Sequence, residues 1–150
     1  MRPFPGRHPP FDPASAPARL RRYAAHAQRA LTDPYAPAGR PLLERACHAR
    51  DICLAFRARL AITLGLPPAT ALPRTPPHEP RAYRDEDPHR VARELRAAAD
   101  ALADHLALLS PADWSRHDPR PAAAPFTVET LTAQLLRTLA HLLTEEALPA

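Results

Sequence analysis

The sequence predicts an all-α fold, a four-helix bundle with one long crossover loop between its second and third helices. Three observations predict it. Alanine and leucine are abundant while β-branched residues are scarce, a composition that favours helix over sheet. Apolar residues recur three and four places apart in four separate stretches. Prolines punctuate the chain between those stretches, and 150 residues suffice to bury one core. The expected organisation is a proline-rich N-terminal arm over 1–17, then the bundle over 18–148.

Each element has its own signal. Six prolines in the first 17 residues forbid a long helix there. A first helix over 18–31 follows Leu20, Ala24, Ala27 and Leu31, and Asp33-Pro34 and Pro37-Ala38-Gly39 stop it. The second, over 42–64, has the mainly apolar stripe Ala49, Ile52, Cys53, Phe56, Leu60 and Thr63 before Gly65 ends it. Residues 66–87 hold six prolines and no periodicity, so they form the crossover. The third helix, over 88–109, starts where Asp87 can cap the free amides and Pro88 takes the first helical position. Its seam is Val91, Leu95, Ala98, Leu102, His105 and Leu109, with Leu106 competing with His105 for the buried direction. Thr127 caps the fourth, over 127–146. The expected core is Phe56, Leu60, Val91, Leu95, Leu102, Leu131, Leu135 and Leu139.

Charge and cysteine content narrow the function classes. All twenty basic residues are arginine, and they are unevenly placed: 11 against 4 acids in 1–65, 9 against 12 acids in 66–150. Attraction between the two halves of a bundle accounts for that asymmetry better than a nucleic-acid partner does. No run of 18 apolar residues occurs, so no membrane span is expected. The start MRPFPGRHPPFDP lacks the apolar core of a secretory signal. Cys47 and Cys53 lie about 9 Å apart along one helix, too far for a bridge, which fits a reducing cytoplasm.

Spacing alone offers no strong metal or catalytic motif. No H-x-x-x-H, C-x-x-C, Walker loop or G-x-S-x-G elbow is present. His48 lies about 80° from the centre of the second helix's stripe, at its edge, and His141 about 120° from Leu135, towards the polar side. On periodicity, His141 reads as a surface histidine.

Three segments carry a resemblance: PLLERACHARDICLAFRARLAITL, DEDPHRVARELRAAADALADHLALLSPADWSR and FTVETLTAQLLRTLAHLL. Their order and spacing across about residues 40–143 resemble the DinB/YfiT-like superfamily, and most closely its actinobacterial branch related to mycothiol-dependent metalloenzymes. The resemblance implies a four-helix bundle holding a divalent metal, zinc or nickel, on three histidines. One comes from the second helix, in the context Cys47-His48-Ala49-Arg50-Asp51. The other two form an H-x-x-x-H pair on the fourth, where His141 matches the second position and Arg137 stands at the first.

A guanidinium stays protonated and has no lone pair to offer, so Arg137 cannot serve as a ligand. Other departures flank the same cleft: Arg40 in place of a tryptophan, Leu72-Pro73-Arg74-Thr75 in the crossover, and Arg120 to Pro125 before the fourth helix. The expectation is therefore a degenerate site of His48 and His141 with Arg137 beside them, and no tightly bound cofactor. The bundle would bind or transform a small metabolite without the usual metal. The alternatives are a metal-dependent thiol S-transferase with a changed ligand set, its third ligand a carboxylate or His105, and a non-catalytic bundle that homodimerises or binds a partner.

Overall fold

A computed structural model describes residues 10–37, 39–65, 82–117 and 126–144. Among the described residues there is no strand, only an isolated antiparallel bridge between His117 and Thr127. The described residues form five α-helices: α1 (Ala16–Leu31), α2 (Arg40–Thr63), α3 (Pro88–Ala107), a single turn α4 (Pro111–Trp114) and α5 (Val128–Leu143). The four long ones are the expected helices, and α4 forms where Ser110-Pro111 had signalled only a break.

Local chemistry fixes their ends. Asp87 accepts from the amides of His89 and Arg90 with Pro88 at the start of α3, as its sequence predicts. Thr127 accepts from Thr130 at the start of α5. Ser110 and Asp113 cap each other's backbone around α4. α2 ends at Gly65, whose φ of 68° is the left-handed conformation that glycine adopts without strain.

The bounds depart from expectation in instructive places. α1 begins at Ala16 rather than Ala18, because Asp12 caps a 3-10 turn (Pro13–Ser15) that feeds straight into it. Pro13 and Pro17 occupy first-turn positions, where a missing N–H costs nothing, and act as starters rather than breakers. α2 begins at Arg40 for the same reason, with Pro41 in its first turn. α3 and α5 stop at Ala107 and Leu143, short of the expected 109 and 146, and residues 145–150 lie outside the described residues. So does the expected crossover between 66 and 81, and so do residues 1–9 of the expected arm.

Specific pairs define the topology. Arg21 of α1 reaches Asp100 and Asp104 of α3, while Gln28, further along α1, accepts from Arg96, earlier in α3; these helices are antiparallel. Arg50 of α2 meets Glu94 of α3, and Arg57, further along α2, lies near His105, further along α3, so α2 and α3 run parallel. Arg116, just past α4, donates to the Leu64 carbonyl at the end of α2, and its own carbonyl accepts from Val128 at the start of α5. The packed pairs α1–α3, α3–α2, α2–α5 and α5–α1 close the bundle. One end gathers the starts of α2 and α3 and the end of α5; the other gathers the end of α2, α4 and the start of α5. Two arginines of the first half, Arg21 and Arg50, pair with acids of the second half: Asp100 and Asp104, and Glu86 and Glu94.

Of the expected core, Leu60, Val91, Leu95, Leu102, Leu131, Leu135 and Leu139 are buried. Phe56 is only half-buried, packed against the core's flank. The inner face of α2 runs through Leu43, Ala46, Cys47, Arg50, Cys53 and Leu60, turned from the stripe read through Phe56 because Arg50 occupies an inward position. In α3, Leu106 takes the buried direction and His105 stays half-buried. Leu95 is 1 % exposed, so Leu95→Ala should cost about 2–5 kcal/mol in urea unfolding; a loss below about 0.5 kcal/mol, as at surface positions, would contradict that packing. No described helix is long and apolar enough to cross a membrane.

Candidate functional site

The start of α2 carries two faces with different chemistry. Cys47, Ala49 and Arg50 point inward and are buried, while His48 between them is exposed. Arg50, only 3 % exposed, is tied down on every side. Its two terminal nitrogens grip Glu86 in a bidentate pair, Nη1 to Oε1 at 2.9 Å and Nη2 to Oε2 at 3.0 Å. Nε donates to Asp51 at 3.0 Å and Nη1 also reaches Glu94 at 3.2 Å. The Cys47 thiol donates to Glu86 at 3.0 Å, Tyr83 donates to Asp51, and Arg90 adds a second cation to Glu86.

Electrostatics follow from that arrangement. Burial alone would raise the Glu86 carboxyl, but hydrogen bonds from Arg50 and Cys47 and the charges of Arg50 and Arg90 outweigh it and hold the group below its ordinary value. Burial and the neighbouring Glu86 push the Cys47 thiol up to about 12. Burial alone does the same to Cys53. Both sulfurs therefore stay as thiols at neutral pH, and neither is poised as a nucleophile. What the network does is mechanical: Glu86 directly follows the 3-10 turn Ala82–Asp85, so the ion pair fastens the end of the crossover and the start of α3 onto α2.

Arg137 and His141 sit one turn apart on α5, both exposed, while Leu135, Leu136, Leu139 and Leu143 face inward. His141 lies in the last turn of α5 and His48 near the start of α2, so the antiparallel packing puts them at the same end of the bundle. Among the described residues neither Arg137, His48 nor His141 has an ion-pair partner. His105 belongs elsewhere. Burial and the nearby charge of Arg57 lower its pKa, and it stands 11 residues, roughly 16 Å of helix, beyond the Glu94 that meets Arg50. That distance removes it as a third partner for His48 and His141.

The DinB superfamily model matches residues 14–147, nearly the whole described bundle. The chain belongs to the DinB superfamily. No curated protein and no solved structure matches it. For a DinB-superfamily chain, the donor chemistry at this end is a poor fit to the three-histidine metal that the resemblance implies. Two imidazoles and a guanidinium supply two nitrogen lone pairs and one permanent positive charge.

Residue-level reasoning from the sequence overlooked Arg50 and Glu86. One signal was available. Arg50 stands three places from both Cys47 and Cys53, an inward register at which an arginine demands carboxylates, and Asp85-Glu86-Asp87 supplies them.

Proposed function

We propose that this DinB-superfamily chain holds a small anionic metabolite, a carboxylate or a thiolate, at the end of the bundle where α2 begins and α5 ends, without the metal typical of related bundles. Arg137 carries the reading: an exposed guanidinium, without an ion-pair partner among the described residues, stands where the resemblance places a ligand histidine. A guanidinium offers a carboxylate two parallel N–H donors, and imidazoles at positions 48 and 141 can add further donors. The buried pair of Arg50 with Glu86 supports the same reading, since it keeps α2 and the crossover end rigid beside His48.

Succinate, titrated by calorimetry at low ionic strength, is the first probe. The wild type should bind it, and Arg137→Ala should bind at least about tenfold more weakly, the minimum loss expected when a guanidinium's charged hydrogen bonds to a carboxylate are removed. Equal binding by the two proteins would overturn the anion reading. Stoichiometric tight binding of zinc or nickel by the wild type would overturn the metal-free one.

A further inference from the structure

At the opposite end of the bundle a cleft of about 650 Å³ opens between the start of α1, the end of α3, α4 and the start of α5. That volume falls within the roughly 300–1,000 Å³ of small-molecule sites. Its floor and walls are apolar: Pro17, Leu106, Leu109 and the indole of Trp114. Trp114 is held in place by an edge-on contact with Phe11, their ring centroids 6.4 Å apart. The charged groups that line it carry one sign, the carboxylates of Asp12 and Glu129, beside the neutral Ser115.

We propose that this cleft binds a small amphipathic cation, an amine or quaternary ammonium on an aromatic or aliphatic body. Two features select the charge. Neither Asp12 nor Glu129 has a cationic partner among the described residues, and Asp12 spends only its Oδ1 on a backbone amide, that of Ala14. The carbonyl end of α3 also lies at the cleft, through Leu106 and Ala107, and carries partial negative charge. The amide ends of α1 and α5 oppose it; Asp12, which caps the turn leading into α1, and Glu129, in the first turn of α5, offset them. No arginine lines the cleft among the described residues; Arg116, just past α4, is turned onto the Leu64 carbonyl and Asp113, and Arg19 on α1 donates to the Tyr23 hydroxyl. Trp114 lines the cleft, and an indole attracts an organic cation held against it. This proposal does not depend on the anion site at the other end.

Trp114 is the chain's single tryptophan, so its fluorescence reports on this cleft alone. The full chain is titrated with three isosteric probes: 3-phenylpropylamine, 3-phenylpropanol and 3-phenylpropionate. Saturable binding is expected, at least fivefold tighter for the amine than for the alcohol and weakest for the carboxylate. Asp12→Asn keeps the capping oxygen of the 3-10 turn and Glu129→Gln keeps the length of the side chain, so both should fold. Together they should bring the amine down to the affinity of the alcohol while leaving the alcohol's unchanged. Equal affinity for all three probes, no saturable change, or a preference for the amine that survives the double substitution would overturn the proposal.

Discussion

Replacing Glu86 with alanine should destabilise the protein by about 3–5 kcal/mol, because it strands a guanidinium that is 3 % exposed. Asp51 at 3.0 Å and the more exposed Glu94 still contact Arg50, which places the loss towards the lower end of that range. The companion change Arg50→Met should cost less. It removes the buried charge with its shape roughly kept, and leaves Glu86 with Arg90. Combining Arg50→Met with Glu86→Leu should cost clearly less than the two single losses added, since a buried pair exchanged for apolar groups is often near neutral. The pH dependence has a definite sign. Glu86 titrates below its ordinary value when folded, so its share of stability is present above that value and disappears as pH falls through the folded one. Urea midpoints of wild type and Glu86→Ala should therefore converge on acidification below about pH 4.5. A loss under 1 kcal/mol at pH 7, or a gap that widens in acid, would show that the pair does not hold the crossover down.

How much of this was legible in the sequence depends on the range over which each feature is encoded. The caps at Asp87 and Thr127 and the stop at Gly65 are local chemistry, and all three stand where the residues put them. Pro13 and Pro17 misled because proline breaks a helix interior but starts a first turn, and composition alone does not say which applies. Arg50 was illegible for a different reason. Its partner lies 36 residues away across the crossover, and periodicity assigns a charged residue outward unless its counter-charge is known. The exposure of His141 was legible from its angle on α5, whereas His48, read as an edge residue, is exposed. The apolar cleft was not legible at all. It is assembled from the stretch leading into α1, the run from the end of α3 through α4, and the start of α5, three segments that no single window of sequence joins.

Arg137→His should raise affinity for zinc by orders of magnitude. The substitution creates an imidazole one turn before His141 on the exposed face of α5, the i, i+4 geometry in which two nitrogens can reach one ion. It also deletes a permanent cation from the position an ion must approach. Two histidines of α5 with His48 across the helix pair would make three nitrogen ligands, leaving further positions to water because all three residues are exposed. Calorimetric titration with zinc and nickel should give weak or no binding for the wild type and a single stoichiometric site for Arg137→His. Adding His48→Ala should abolish the gain, which separates a three-ligand site from a local pair on α5. Arg137→Gln removes the charge without supplying a strong ligand and should recover little of the affinity. If the gain survives loss of His48, the faces of α2 and α5 do not converge on one ion. If Arg137→His gains nothing, this end of the bundle is not a metal cleft with one ligand replaced, and the anion reading loses the substitution on which it rests.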